Sequence, residues 1–166
     1  MSSVDDKELT NAAEICRAAS KKGKKIIIVG NGGSAAMASH LSIDFTKAAR
    51  IRAINFNEAS LLTCFANDYG YERWVEHALD DYADPGDVVI LISSSGSSPN
   101  IINGAERARS LDLPLVTFSG FAEDNPLRSY GDVNFWVDST DYNTVEMTHH
   151  IWTLSIVDYL RSMANQ

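Results

Sequence analysis

The segment Ser93-Ser94-Ser95-Gly96-Ser97-Ser98 packs five serines into six positions. It follows a run of β-type residues, Asp87-Val88-Val89-Ile90-Leu91-Ile92, and precedes Pro99, which suits the first turn of a helix. A buried strand that ends in small hydroxyl residues and then opens a helix makes an anion pocket. The helix N–H groups point outward, glycine lets the backbone approach closely, and hydroxyls add donors. Asn31-Gly32-Gly33-Ser34, after Lys25-Ile26-Ile27-Ile28-Val29-Gly30, repeats the arrangement. Either loop alone reads equally well as an ordinary strand-to-helix turn with a good cap. Capping one helix takes only one serine, however, and two such turns in one sheet point to a ligand carrying phosphate. No Walker-type lysine follows either loop and no Gly-x-Gly-x-x-Gly spacing is present, so no nucleotide cofactor is expected.

The elements that must position these loops follow from hydrophobic periodicity. Asp5 to Lys22 has helical spacing, with Leu9, Ala12, Ala13, Cys16 and Ala19 on one face. Lys25–Val29 and Val88–Ile92 read as strands buried on both faces; Ile51–Phe56, Pro114–Phe118 and Val133–Val137 are three more. Helices are predicted over Ser34–Ala48, from a cap at Asn57 to about Ala66, over Glu72–Tyr82, over Pro99–Leu111 and over Thr144–Met163, and Pro85-Gly86-Asp87 is a turn. The order α-β-α-β-α-α-β-α-β-α-β-α predicts an α/β fold. It is a doubly wound, parallel five-stranded sheet with helices on both faces, a flavodoxin-like three-layer sandwich. In such sheets ligands bind beyond the carboxyl ends of the strands, where strand order reverses. Both Gly/Ser loops lie at strand carboxyl ends.

The chain of 166 residues, 45% of them hydrophobic, suffices for a single domain spanning residues 1–166. No repeat or linker interrupts it. A net charge of −8 argues against a nucleic-acid partner, and Lys21-Lys22-Gly23-Lys24-Lys25 reads as a solvated helix end. An acidic protein that binds phosphate must do so through backbone N–H groups and hydroxyls. The two cysteines, Cys16 and Cys64, sit in apolar patterns and read as buried free thiols in a reducing compartment. With no signal peptide or membrane-spanning run, the expected location is cytoplasmic and away from membranes. In the terminal helix Val145, Met147, Ile151, Trp152, Leu154, Ile156, Val157, Tyr159 and Leu160 fill more than one narrow stripe. A helix apolar on most sides is buried on most sides, which predicts a subunit interface holding a homo-oligomer.

Val29-Gly30-Asn31-Gly32-Gly33-Ser34, His40, Asn67-Asp68-Tyr69-Gly70, Pro85-Gly86-Asp87 and Ile92-Ser93-Ser94-Ser95-Gly96-Ser97-Ser98 together resemble the sugar isomerase (SIS) domain, in its phosphoheptose isomerase (sedoheptulose 7-phosphate isomerase) subgroup. The resemblance runs from about Ile26 to the end. It implies that Ser93, Ser94, Ser95 and Ser98 hold a sugar phosphate, that Asn31, Gly32 and Ser34 line the site, and that Asp68 contacts sugar hydroxyls. It further implies an isomerase of carbohydrate metabolism that is a homotetramer with zinc and a cleft shared between subunits. Its product would feed heptose synthesis for lipopolysaccharide or capsule.

The chain departs from the family pattern where the chemistry should lie. The family has His and then Glu one turn later on the first helix after the glycine loop; here the pair is His40 and Asp44. On the terminal helix the family's Gln and later His are Glu146 and Leu154. A non-catalytic group of the same fold, the replication-initiator-associating proteins, also lacks that histidine. The resemblance also implies one more helix ahead of the first one read here. His149 matches a common family histidine, and His150 does not. Glu146 and His150, like His40 and Asp44, stand one helical turn apart and share a face. The four side chains suit zinc; His150 equally reads as a partly buried polar residue at a subunit interface. Two functions result. One is aldose–ketose isomerisation of a phosphosugar, with Asp44 as the leading candidate base, Glu146 as the other, and His40, His150 or a metal as electrophile. The other is a non-catalytic sugar-phosphate-binding protein that acts by association.

Overall fold

Two strands decide the architecture. β1 (Ile26–Gly30) and β3 (Val88–Ser93) are buried along their whole length. Successive side chains on a strand point to opposite faces. Ile26 and Ile28 join one apolar cluster, whereas Ile27 and Val29 join another on the far side. In β3, Val88, Ile90 and Ile92 enter the first cluster, and Val89 and Leu91 the second. A strand with no polar face needs helices on both sides, and the computed structural model, which describes residues 6–164, supplies them. β2 (Ala53–Asn55), β4 (Leu115–Ser119) and β5 (Val133–Trp136) complete an all-parallel sheet in the order β2-β1-β3-β4-β5. On one face, α1 (Asp6–Lys21), α2 (Gly33–Lys47) and α6 (Tyr142–Ala164) contribute Cys16, Leu41, Phe45, Trp152 and Ile156. On the other, α4 (Trp74–Tyr82) and α5 (Pro99–Ser110) contribute Trp74, Val75, Ile101 and Ala105. α3 (Ala59–Tyr69) lies over that second cluster with Leu61, Leu62 and Phe65 only partly covered.

This is the doubly wound three-layer sandwich read from the sequence. The chain leaves β1 for β2 on one side and returns to β3 on the other, so strand order reverses between β1 and β3. The loops that follow these two strands therefore flank the crevice where such sheets bind ligands.

Several local expectations change. Asp5, at the expected start of α1, lies outside the described residues. β2 is shorter than Ile51–Phe56 because it is an edge strand, and Asn55 turns its side chain to accept from the Asn57 N–H at 2.9 Å and to donate to Ser42 Oγ at 2.9 Å. Asn57 does not cap α3. It donates to Ala35 O and Ser39 Oγ, and Glu58 caps instead, accepting from the Leu61 N–H at 2.9 Å. The helix between the last two strands is a single 3₁₀ turn, Pro126–Ser129. Cys16 is buried, but Cys64 is exposed, since α3 buries none of its residues fully. On α6, Trp152, Ile156 and Leu160 pack within their own chain against α1, α2 and the sheet. The large apolar side chains that α6 leaves to solvent are Tyr142 at its start, Met147 and Ile151, with Tyr159 further along. Among the described residues, no helix is long and apolar enough to cross a membrane.

At the opposite end of the sheet from the Gly/Ser loops, the Pro85–Asp87 turn is locked by a buried carboxylate. Asp87, 1% exposed, accepts from the backbone N–H groups of Lys25 at 2.9 Å and Asp84 at 2.8 Å and pairs with Lys25 Nζ.

Candidate functional site

A cleft of about 280 Å³ opens at the carboxyl ends of β1 and β3, lined by Asn31, Gly32, Gly33, Ser34, Ile92, Ser93, Ser94, Ser95, Ser98, Tyr142 and Glu146. All four residues of the Asn31–Ser34 loop are here, and of the serine loop Ser93, Ser94, Ser95 and Ser98, with Gly96 and Ser97 outside the lining. The serine hydroxyls are not consumed as caps: Ser98 occupies the N-cap of α5, and Gly32 that of α2, with no side-chain capping bond. By contrast α6 is capped by Asp141, whose carboxylate accepts from the Thr144 N–H at 2.8 Å and lies below the usual carboxylate range for that reason. Two uncapped helix N-termini facing one polar cleft are a cradle for an anion. Ser93 and Ser98 bond each other at 3.3 Å, and Ser97 Oγ bonds Ser95 Oγ at 3.1 Å, so four of the hydroxyls are paired two by two.

Packing from below fixes the shape of the serine loop. Gly96 has φ +63°, and a Cβ there would lie 1.9 Å from Asn125 Oδ1. Only glycine meets both demands. Gly96 O accepts from the Leu127 N–H at 3.0 Å. The Asn125 amide, 5% exposed, donates to Ser119 Oγ and Ala122 O. On the other loop, a Cβ at Gly33 would lie 2.4 Å from Glu146 Oε2. The Glu146 carboxylate thus rests on the first turn of α2, a position that the positive end of the helix favours. Asn31 and Asn100 join the loops through a reciprocal amide pair, both bonds 2.9 Å, and Tyr71 Oη donates to Asn31 Oδ1 at 3.1 Å.

The remaining expected site residues lie elsewhere. His40, Asp44 and His150 do meet, but do not line the cleft. His40 Nδ1 and His150 Nε2 are 3.0 Å apart, and His40 Nε2 lies 3.2 Å from Asp44 Oδ2. Burial and the neighbouring His40 push the His150 imidazole below its ordinary value, and Asp44 opposes them. Both ring nitrogens of His40 are thereby engaged, and Glu146 stands apart against Gly33. Among the described residues no group of three or more His, Cys, Asp and Glu side chains is arranged to hold a metal ion. Within one chain the four side chains are thus not gathered into a single metal-binding set. Asp68 is exposed on α3, where it bonds Asn67 Nδ2 at 2.8 Å, and it does not reach the cleft. Sequence reading missed Tyr142, Asn100 and Tyr71. Only Tyr71 carried a signal, since it follows the Asn67–Gly70 segment directly.

His149, the residue that matches the family, is structural. It is fully buried on α6, and its Nε2–H donates to Ser119 O at 2.9 Å, tying that helix to the end of β4. Burial pushes the imidazole down to about 4, and the Ser119 bond offsets part of this. The unfolded chain therefore takes up this proton first as pH falls. The stability held by the neutral ring is complete above about 6.5 and is lost progressively towards pH 4. At about 1.4 kcal/mol per pH unit the loss reaches roughly 3 kcal/mol. The urea midpoint is expected to fall between pH 7 and 4.5, and His149→Gln, which keeps a donor for Ser119 O, is expected to flatten that slope. An unchanged slope in the variant would assign the loss to other groups.

The fold and cleft define a sugar isomerase (SIS) domain, and the model of that family matches residues 1–120; the chain belongs to it. Its relatives are more particular. It is 36% identical to the phosphoheptose isomerase of Fusobacterium nucleatum over 133 residues, 77% of this chain and 68% of that protein. It is 32% identical to the phosphoheptose isomerase of Aliarcobacter butzleri over 154 residues, 89% of this chain and 81% of that protein. The solved structure of phosphoheptose isomerase GmhA from Neisseria gonorrhoeae superposes with a TM-score of 0.89 at 26% identity, covering 94% of this chain and 86% of that one.

Proposed function

We propose that the protein is a phosphosugar isomerase that interconverts sedoheptulose 7-phosphate and an aldoheptose 7-phosphate. The observation that carries this reading is one cleft holding both an uncapped serine cradle and a carboxylate, Glu146. The phosphate takes the hydroxyls of Ser93, Ser94, Ser95 and Ser98 and the α5 N-terminus. Glu146 removes the proton from the carbon next to the carbonyl, and the hydroxyl proton of that carbon passes to the carbonyl oxygen through the enediol. Glu146 then returns its proton to the former carbonyl carbon, leaving the new carbonyl on its neighbour. The hydroxyls of Ser34 and Tyr142, which also line the cleft, are the donors available to the carbonyl oxygen. Asp44, the leading base from sequence, is engaged by His40 outside the cleft, and Glu146 replaces it in that role. The product suits heptose synthesis for surface polysaccharide, a cytoplasmic task.

Saturating sedoheptulose 7-phosphate at about 100 times its Kd is expected to add roughly 2.7 kcal/mol of apparent stability. The unphosphorylated sugar is expected to add far less. Equal shifts in Tm for the two would remove the phosphate cradle. Proton NMR of the sugar phosphate with the protein tests catalysis, and appearance of the aldose settles the class.

One observation supports the second reading, a binding protein without catalysis. Leu154 packs against the core cluster where the family has histidine, so no imidazole is available from that position. Binding without isomerisation of any heptose, hexose or pentose phosphate would favour it.

A homotetramer is part of the same proposal. Ile43, Met147 and Ile151 are all more than half exposed, on α2 and α6 beside the His40–His150 contact. They, rather than Trp152, Ile156 and Leu160, are the surface to cover. Light scattering at micromolar concentration is expected to give four times the chain mass, and Ile43→Lys with Ile151→Lys is expected to lower it.

A further inference from the structure

We propose that Asn100 and Tyr71 are positioning residues that lock the Asn31 amide so that it presents an N–H donor to the phosphosugar. The inference rests on the cleft being the phosphosugar site and adds how that site orients its ligand. A side-chain amide has two N–H groups and an oxygen with two lone pairs. At Asn31 both lone pairs are filled, one by Asn100 Nδ2 at 2.9 Å and the other by Tyr71 Oη at 3.1 Å. One N–H is given to Asn100 Oδ1 at 2.9 Å. A single N–H is left, on a residue that lines the cleft.

Asn100 is 2% exposed, so it cannot exchange Asn31 for water. Turning the Asn31 amide over alone would set N–H against N–H and oxygen against oxygen, leaving buried groups unpaired. The unspent donor matches an acceptor, such as a sugar hydroxyl or carbonyl oxygen. The same contact explains the segment Asn67–Gly70, whose Asp68 does not reach the cleft. That segment ends α3 and delivers the next residue, Tyr71, to Asn31.

The test is a double-mutant cycle read by calorimetry on the full chain, with sedoheptulose 7-phosphate and inorganic phosphate as the two titrants. Tyr71→Phe keeps the ring and removes the hydroxyl. It is expected to weaken sugar-phosphate binding about fivefold to tenfold while leaving the Kd for inorganic phosphate within about twofold, since the serine loop is untouched. In an Asn31→Ala background the same change is expected to have no effect, because Tyr71 acts through Asn31. Asn100→Ala is expected to behave alike; where it fails to fold, Tyr71→Phe carries the test, with thermal melting as the control. An unaltered sugar-phosphate affinity in Tyr71→Phe overturns the inference alone, as does an equal loss in both backgrounds. A wild-type protein that binds inorganic phosphate but no phosphosugar overturns both the inference and the reading of the site.

Discussion

Glu146→Gln is expected to cut isomerase turnover by about 10²–10⁴-fold while leaving phosphate affinity unchanged. The variant keeps the size and hydrogen-bonding capacity of the side chain and removes only the base. Its carboxylate is the one that lines the cleft, seated on the first turn of α2 where Gly33 leaves room for it. Asp44→Asn is the control. Asp44 bonds His40 away from the cleft, so less than tenfold loss is expected. The resemblance puts glutamine at position 146, so the loss is expected only because Glu146 has become the base in this chain. A Glu146→Gln enzyme with full activity and an inert Asp44→Asn would return the base to Asp44.

The largest effect on stability is expected from Asp87→Ala. The carboxylate is 1% exposed, accepts from two backbone N–H groups and pairs with Lys25 Nζ, whose side chain is 13% exposed. Removing one partner of a buried pair leaves the rest desolvated and unmatched, at about 3–5 kcal/mol. Lys25 keeps Asp84 as a second partner at 2.7 Å, so the lower end applies. Urea unfolding at pH 7 is expected to show a midpoint more than about 1 M lower with the slope unchanged. A shift under about 0.3 M would mean that water replaces the carboxylate. Activity of the folded fraction is expected to persist, because Asp87 lies at the other end of the sheet from the cleft.

The parts of the molecule legible in the sequence are those that local pattern dictates. Ile26–Val29 and Val88–Ile92 have no polar face, and only a two-sided burial accommodates that. The serine loop was legible because hydroxyl density exceeds what a cap needs. What was not legible depends on how helices roll and cross. His40 and Asp44 share a face of α2 and Glu146 and His150 a face of α6, but spacing does not say which of the four turns towards the cleft. Glu146 does, and the others meet beyond it. Asn31 and Asn100 are 69 residues apart in the chain, and no local signal pairs two asparagines at that distance. Trp152 and Leu160 read as interface residues because their burial by α1 and α2 is a tertiary fact.

The brace beneath Gly96 bears on the thermodynamics of ligand capture. Asn125 packed beneath Gly96 and the Leu127 N–H bonded to Gly96 O hold the serine loop in one shape from inside the protein. A loop that is already ordered loses little configurational entropy on association, and a polar cradle buries little apolar area. Capture of phosphate at this loop should therefore release heat with only a small change in heat capacity, and arrive at a rate set by diffusion and charge rather than by loop rearrangement.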